Sequence, residues 1–235
     1  MTLYRTKDGN SFEIVSQPKL DNGPMMQITD VFRVPTVGLM ALWFGGSYAD
    51  DDRPRRWGTM TSPDNGKTWV QRVCGENMKL ADWPTEPSAF YVGDGRIFCI
   101  ARTEAKGPQL QLTSVDYGRT WRVARTNIDD VLKSTPSLLY DAKTGVVRNY
   151  YYHRGLGQLK LRSARLSDVW DAAGAWPESE TLVADSGRLS HAGNVNATSL
   201  NGIDSIAYYT GSKAGCSIMV VQTRSSAGTG PEKRP

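Results

Sequence analysis

The sequence predicts an all-β fold, and three observations lead to this prediction. The chain of 235 residues contains 23 glycines, 7 tryptophans and 10 tyrosines, a composition typical of strands joined by many turns. No stretch shows a helical pattern longer than two turns, whereas short aromatic and β-branched runs alternate with Asp-Gly and Thr-Gly turns. The third observation is a motif of eight residues that recurs along the chain and defines the architecture more closely.

The recurring motif has the pattern S-x-D-x-G-x-T-W, and we call each copy a repeat turn. It occupies residues 62–69 and 114–121, so that its aspartates, Asp64 and Asp116, are 52 residues apart. Because the aspartate can accept backbone N–H bonds and the glycine supplies a positive φ, each copy predicts a tight hairpin turn. The tryptophan is expected to pack back into the core. Two weaker copies are found at residues 6–12 and 163–170.

Repeats of about 50 residues with four strands each are typical of β-propeller blades. We therefore predict a single all-β domain over residues 1–226, a β-propeller of about four to five blades with four strands in each. Residues 1–20 are predicted to close the ring with the last blade, because closure removes exposed strand edges. Residues 227–235, rich in glycine, proline and charge, are predicted to form a flexible tail. The predicted blades cover residues 29–80, 85–133, 134–185 and 190–226.

Composition and charge argue against several classes of function. A net charge of +4 is too mild to predict a nucleic-acid partner, and no apolar run reaches the about 18 residues of a membrane helix. Cys74, Cys99 and Cys216 lack metal-ligand spacing and the chain has only two histidines, so we expect no metal and no other cofactor. The N-terminus has no apolar segment of the signal-peptide kind, which predicts synthesis in the cytoplasm.

The repeat turns resemble the Asp-boxes (BNR repeats) of sialidases and their relatives, which are β-propellers. The strands between the turns extend the resemblance: Glu86 stands in Thr-Glu-Pro, and Arg102 ends the next strand, 16 residues later. Arg154 ends the corresponding strand one blade on, after a further 52 residues. This series is similar to that of phage endosialidases, the tailspike enzymes that cut polysialic acid. The resemblance covers roughly residues 29–226 and is most specific in 85–154.

The resemblance implies a site that holds the carboxylate of a sialic acid-type sugar. Arg102 and Arg154 would clamp this carboxylate, since paired guanidinium groups match its two oxygens. Arg33 stands in Phe-Arg-Val-Pro, which is similar to the motif that carries a third arginine in sialidases. For each arginine the alternative is a surface salt bridge.

The resemblance also implies carboxylates that act in cleavage. Glu86 is the first candidate for the acid/base, and its alternative role is to orient the arginines. Asp51 and Asp52 lie in a loop where sialidases carry an acidic aspartate, and neighbouring like charges raise the pKa of a carboxyl group. The alternative for this loop is a solvated charged segment or a cation site. Residues 194–198, the predicted inner strand of the last unit, contain no tyrosine to serve as the usual sialidase nucleophile, which endosialidases lack as well.

Three further residues are candidates for contacting a glycan. Trp57 and Trp83 are predicted to lie on polar loops, where an aromatic face can stack on a sugar; the alternative for both is packing in the core or at the rim. His191 lies near the predicted inner strand of the last unit, where it can face a ligand.

These residues and motifs indicate two possible functions. The first is a sialidase-like glycoside hydrolase that recognises sialylated or other acidic glycans through an arginine clamp. The alternative is a non-catalytic carbohydrate-binding or structural propeller, such as a tail or receptor-binding protein of a phage virion. The absent tyrosine and the few blades favour the second, whereas the series Glu86, Arg102 and Arg154 favours the first. The tailspike resemblance also implies a homo-oligomer such as a trimer, or a larger virion assembly.

Overall fold

The computed structural model describes residues 2–18, 25–49, 53–185, 192–212 and 214–224. Within these residues the strands form four antiparallel sheets arranged as a four-bladed β-propeller, together with a separate two-stranded hairpin. The all-β propeller predicted from the repeats is thereby confirmed. No helix in the described part of the chain is long and apolar enough to cross a membrane.

The strands follow one another along the chain as a hairpin and four meanders. The hairpin contains β1 (Leu3–Arg5) and β2 (Glu13–Ser16). The first blade contains β3 (Gln27–Val34), β4 (Gly38–Gly45), β5 (Arg56–Ser62) and β6 (Val70–Gly75). The second contains β7 (Thr85–Gly93), β8 (Arg96–Arg102), β9 (Leu110–Ser114) and β10 (Arg122–Arg125). The third contains β11 (Ser137–Asp141), β12 (Val146–His153), β13 (Gln158–Arg165), the helical turn α1 (Leu166–Val169) and β14 (Glu180–Ala184). The fourth contains β15 (Gly193–Leu200), β16 (Ile203–Ser212) and β17 (Gly215–Arg224).

The first strand of each blade lies innermost, and these inner strands contact one another in the order β3, β7, β11 and β15. Because the strands of a blade alternate in direction, an inner strand begins at the end of the propeller where the second strand finishes. We call this end, where β7 begins and β8 finishes, the site end. The opposite end carries the repeat turns, and we call it the turn end.

Side-chain hydrogen bonds join each inner strand to the next. Asp30 Oδ2 accepts a bond from Ala89 N at 3.0 Å, and Ser88 Oγ accepts one from Leu138 N at 2.9 Å. Ser137 makes the same contact with the fourth blade. These bonds fix the height of each blade against its neighbour, so the starts of the inner strands meet around the axis at the site end.

The hydrophobic core is divided among the junctions between successive blades. Separate clusters of buried side chains fill the junctions of blades one and two, two and three, and three and four. Buried pairs that represent the three junctions are Phe44 and Leu112, Ile100 and Tyr151, and Tyr152 and Tyr208. No such cluster joins the fourth blade to the first within the residues that the structure describes.

The N-terminal hairpin corrects the expected closure of the ring. Strand β1 pairs with β2 alone, and β17 pairs only with β16 among the described strands, so the last blade has three strands. The hairpin instead lies against the first repeat turn, where Ser16 Oγ donates to the Gly66 carbonyl oxygen at 2.5 Å. The described part of residues 1–20 therefore packs on the first blade, because its contacts are made at the turn end and not at the β17 edge.

The two complete repeat turns form the hydrogen bonds that their sequence predicts. Asp64 Oδ1 accepts a bond from Thr68 N at 2.8 Å, and the Trp69 indole donates to the Gly66 carbonyl oxygen at 3.0 Å. The backbone N–H of Thr68, followed by its hydroxyl, lowers the pKa of Asp64 to about 2. The second copy repeats these bonds with Asp116, Thr120, Trp121 and Gly118.

The weak copy at residues 163–170 is not a turn of this kind. Arg165 and Ser167 stand where the motif has aspartate and glycine. The carboxylate that accepts backbone N–H bonds and the glycine that adopts a positive φ are therefore both missing. Residues up to Arg165 continue β13, and α1 follows. The indole N–H of Trp170 then has no hydrogen-bond partner within the described residues, unlike that of Trp69.

Candidate functional site

Glu86 lies at the start of β7, where the backbone leaves regular β geometry. It has a φ of +45°, and the pairing of β7 with β8 shifts between Thr85 and Ser88. Such a bulge re-aims a side chain, and a positive φ is uncommon for a residue other than glycine. As a result the Glu86 carboxylate comes within 2.8 Å of the Arg102 guanidinium at the site end.

Arg102 is 8% exposed and lies between two carboxylates. Its Nη1 contacts Glu86 Oε2 at 2.8 Å, and its Nε and Nη2 donate to Glu104 Oε1 at 3.0 and 2.7 Å. Nη1 also donates to the Lys133 carbonyl oxygen at 3.0 Å. Thr85 Oγ1 donates to the same oxygen of Glu104 at 2.8 Å and holds that carboxylate in place. Since a guanidinium has five N–H groups, Arg102 retains one for a ligand.

Thr135 and Asn194 extend this cluster across the third and fourth blades. Thr135 Oγ1 lies 2.6 Å from Glu86 Oε2 and 3.1 Å from Asn194 Oδ1. Thr135 precedes Pro-Ser as Glu86 does, and therefore holds the same place in the repeat. Asn194, with a φ of +47°, lies on β15, the strand without a tyrosine. The starts of β7 and β15 and the segment just before β11 thus each bring one polar side chain to the site.

Arg154 has no carboxylate partner within the described residues. Its Nε donates to the Ala192 carbonyl oxygen at 2.7 Å, and its Nη2 lies 3.4 Å from Asn194 Oδ1. Burial lowers the pKa of Arg154, Tyr209 acts in the opposite direction, the charge of Arg102 lowers the pKa further, and the charges of Glu86 and Glu104 raise it. An arginine stays protonated at neutral pH. Arg154 is therefore a partly buried cation that feels the two carboxylates at a distance and forms an ion pair with neither of them.

The two arginines do not occupy matching strand positions, which corrects the expectation from their spacing. Arg102 lies two residues after Ile100, the cross-strand partner of Ser88. In the third blade, Ser137 holds the place that Ser88 holds in the second blade. Arg154 lies four residues after the cross-strand partner of Ser137. This difference carries Arg154 past the end of β12 and towards the fourth blade, where Arg102 does not reach.

Tyr48, which the sequence did not identify, lies beside the ionic cluster. The Arg102 guanidinium carbon lies 6.0 Å from the centroid of its ring. Burial, and then the negative charges of Glu86 and Glu104, raise the pKa of Tyr48 to about 12. Its phenol therefore stays protonated at neutral pH and can donate a hydrogen bond. Tyr48 belongs to the same β4–β5 loop as the acidic run, which is the one signal that could have indicated it.

Tyr209 is a second tyrosine near the site that the sequence did not identify. It lies on β16 opposite Gly193 and interacts electrostatically with Arg154. Its neighbour Tyr208 is 2% exposed and packs in the junction of the third and fourth blades, whereas Tyr209 projects from the other face of the strand.

Arg33 lies at the turn end, away from the other candidate residues. It is exposed near the end of β3, and its Nη2 donates to Asn65 Oδ1 of the first repeat turn at 3.0 Å. An inner strand runs from the site end to the turn end, so its last residues cannot approach Arg102. This direction corrects the expectation of a third arginine in the clamp.

The two candidate tryptophans lie in the core and not on a glycan-binding surface. Trp57 in β5 is 3% exposed and Trp83 is fully buried, with its indole N–H donating to the Arg56 carbonyl oxygen at 3.0 Å. Each ring packs edge-on against another aromatic ring, Trp57 against Trp121 and Trp83 against Phe44. Their burial corrects the expectation that they stack on a sugar.

Three of the predicted site residues lie outside the described part of the chain. They are Asp51, Asp52 and His191. Their assignment to catalysis or to ligand binding stays a prediction.

Comparison with known proteins matches the chain to solved structures only. No family model matches it, and no curated protein matches it. The Hadza microbial sialidase Hz136 is similar with a TM-score of 0.64 and 16% identity, over 95% of this chain and 43% of that chain. The endosialidase of phage phi92 is similar with a TM-score of 0.55 and 14% identity, over 78% and 31% of the two chains. An α-L-arabinofuranosidase mutant from Fusarium graminearum, in complex with an iminosugar inhibitor, gives a TM-score of 0.60 and 14% identity, over 89% and 68%.

These similarities concern the fold. The neighbours include sialidases and other glycosidases, which agrees with the propeller type that the motifs indicated. This chain spans less than half the length of the Hz136 sialidase, since it covers 43% of it. Because one fold supports many activities, the site has to carry the functional argument.

Proposed function

We propose that this chain is a sialidase-like glycoside hydrolase that binds a carboxylated sugar at the site end. The observation that carries the proposal is Arg154, a partly buried cation with no carboxylate partner among the described residues. It lies next to a carboxylate, Glu86, that is held in place by Arg102 and Thr135. A cation for the ligand and a fixed carboxylate for chemistry are the two parts that cleavage of an acidic glycan requires.

The two arginines have different roles in this proposal. Arg102 forms ion pairs with two carboxylates, Glu86 and Glu104, at 2.8 and 2.7 Å, so it adds no net attraction for an anion. Arg154 supplies that attraction, and the remaining N–H of Arg102 fixes the orientation of the bound carboxylate. The phenol of Tyr48 is a further donor on the Arg102 side of the site.

Glu86 acts as the acid/base in the proposed reaction. The ion pair with Arg102 and the bond from the Thr135 hydroxyl hold its carboxylate in place, and a fixed carboxylate can remove a proton from an attacking water. The leaving glycosidic oxygen then takes a proton from a second group. Asp51 and Asp52 are the candidates for that acid.

The test measures hydrolysis of polysialic acid and of a fluorogenic sialoside. We expect the wild-type protein to cleave at least one substrate, and Glu86→Gln to lower kcat by about a hundredfold or more, the usual effect of losing a general acid/base. We expect Arg154→Met to raise KM. Arg33→Met is the matched control, since Arg33 is an exposed arginine at the other end. Absence of hydrolysis of both substrates by the wild-type protein would overturn the proposal.

A specific observation favours a second candidate, a non-catalytic glycan-binding propeller. Asn194 lies on β15, where a sialidase-like chain would carry its tyrosine nucleophile, and an amide cannot replace a phenolate in that role. In this alternative the wild-type protein binds sialylated glycans without cleaving them, and Arg154→Met abolishes the binding. A tail or receptor-binding role in a phage virion is the setting that we propose for this alternative.

A further inference from the structure

A second polar pocket opens at the turn end, between the second and third blades. Its volume is about 290 Å³, near the lower end of the range for small-molecule sites. It lies at the opposite end of the propeller from Glu86, because its walls come from the ends of β7, β11 and β13 and from the start of β8. The side chains that matter for its chemistry are Arg96, Arg165, Trp170 and Tyr140.

The pocket exists because the third blade lacks a repeat turn. The helical turn α1 takes the place of the tight turn and puts Leu166 and Trp170 in the pocket wall. In the first two blades the equivalent tryptophan donates its indole N–H to a glycine carbonyl oxygen at 3.0 Å. Trp170 makes no such bond within the described residues, so its N–H is available to a ligand.

The two arginines of the pocket have no ion pair in the described part of the chain. Arg96 donates only a long bond of 3.4 Å to the Gly93 carbonyl oxygen, and its guanidinium carbon lies 5.9 Å from the ring centroid of Trp170. The side chain of Arg165, an exposed residue at the end of β13, forms no hydrogen bond there. The pocket thus presents two guanidinium groups without an ion pair and one indole N–H without an acceptor.

The carboxylates of the adjoining turns, Asp94, Asp141 and Asp168, form no ion pair with Arg96 or Arg165 among the described residues. Asp141 accepts bonds from Lys143 N and the Thr144 hydroxyl of its own turn, both at 2.9 Å. Asp168 accepts one from the hydroxyl of Ser167 at 3.0 Å. None of these carboxylates lines the pocket, whose charged lining residues are Arg96 and Arg165.

We propose that this pocket is a second binding site for a carboxylated sugar, separate from the site end. The two guanidinium groups would hold the carboxylate, and the Trp170 indole would donate to a ring substituent. The volume admits more than a bare anion, and Leu166, Tyr140 and Val92 give the pocket apolar walls, as expected for a saccharide site. Such a site needs no catalytic group and would hold a glycan at a distance from Glu86.

The experiment follows the Trp170 indole ¹⁵N–¹H resonance during titration with N-acetylneuraminic acid, a free sugar that cannot be hydrolysed. Trp170→Phe assigns the resonance. We expect a saturable shift in the wild-type protein and an affinity at least about tenfold weaker in Arg96→Met and in Arg165→Met, which corresponds to about 1.4 kcal/mol each. Arg33→Met, another exposed arginine at the turn end, is the matched control, and unchanged resonances of the other tryptophans verify the fold of each variant.

Arg154→Met separates this proposal from the proposed function. We expect the Trp170 shift to persist in Arg154→Met, because that residue lies at the site end. The neutral sugar N-acetylglucosamine should leave the resonance unmoved. Absence of a saturable shift, or a shift that survives in both arginine variants of the pocket, would overturn the second site. An equal shift with inorganic phosphate would overturn its saccharide character.

Discussion

At the scale of single residues, Asp130 shows how the fold accommodates a partly buried charge. Its Oδ1 accepts bonds from Tyr151 Oη at 2.9 Å and Arg162 Nη2 at 2.8 Å. Its Oδ2 accepts bonds from Lys160 Nζ at 2.9 Å and Ser179 Oγ at 2.7 Å. Burial alone raises the pKa of Asp130, but the hydrogen bonds from Lys160, Ser179 and Tyr151 outweigh it and hold the pKa well below its usual range.

This network predicts that Asp130→Asn destabilises the protein by about 2–4 kcal/mol at pH 7, because two cations lose their shared carboxylate. A carboxyl group with a lowered folded-state pKa stabilises the fold above its unfolded pKa of about 4. That contribution is lost as the pH falls towards the folded-state pKa. The difference between wild type and Asp130→Asn in urea denaturation should therefore shrink below about pH 4. A difference in unfolding free energy that stays constant with pH would contradict this explanation.

The control variant is Asp171→Asn, because Asp171 forms an exposed ion pair with Arg122 that contributes little to stability.

The candidate site could be predicted only in part from the sequence. The proximity of Glu86 and Arg102 was predictable because both belong to a local repeat whose register the sequence carries. Glu104 was missed, although it is two residues from Arg102, because only the path of the chain beyond β8 brings its carboxylate back to the guanidinium. The role of Thr135 depends on contacts between blades, which no local pattern encodes.

At the scale of elements, the turns were predictable wherever the motif is complete. Their hydrogen bonds lie within eight residues, so the sequence contains all the partners. The turn predicted from the weak copy around α1 does not form, because a serine and a tryptophan alone supply neither a carboxylate to accept backbone N–H bonds nor a residue with a positive φ. The direction of β3 places Arg33 at the turn end. A short motif such as Phe-Arg-Val-Pro contains no information about that direction.

Tight packing at the turn end predicts unequal effects of two glycine substitutions. Gly38, the first residue of β4, has a φ of +102°, and an added Cβ would lie 2.1 Å from the Ser62 carbonyl oxygen. Gly145, in the β11–β12 turn, has a φ of +70° with nothing within 4 Å of an added Cβ. Gly145→Ala should therefore cost only the backbone strain, about 1 kcal/mol, whereas Gly38→Ala should cost at least about 2 kcal/mol more because backbone has to move. Urea denaturation measures both, and equal costs would show that the start of β4 is less tightly packed.

At the scale of the whole molecule, the spacing of the repeats predicted the number of blades but not the closure of the ring. Closure depends on contacts between the residues that are furthest apart in sequence. Three junctions between blades are filled by buried clusters, and the hairpin of β1 and β2 packs at the turn end of the first blade. Ile218 and Val220 of β17 remain 82% and 63% exposed. They pair with Tyr209 and Ala207, so they project from the face opposite the third-blade junction.

This apolar face and the edge of β17, which pairs with no further strand among the described residues, predict association between copies of the chain, since exposed strand edges and contiguous apolar patches both favour association. We expect the sedimentation coefficient of the wild-type protein to rise along a concentration series, and Val220→Lys to reduce that rise by placing a charge in the patch. Val115→Lys is the matched control, because Val115 is also 63% exposed but lies alone in the second repeat turn. The denaturation midpoint should be unaltered in both variants, since neither side chain is buried. If Val115→Lys suppressed association as much as Val220→Lys, general charge repulsion and not the β17 face would explain the effect, and the oligomer would need a different interface.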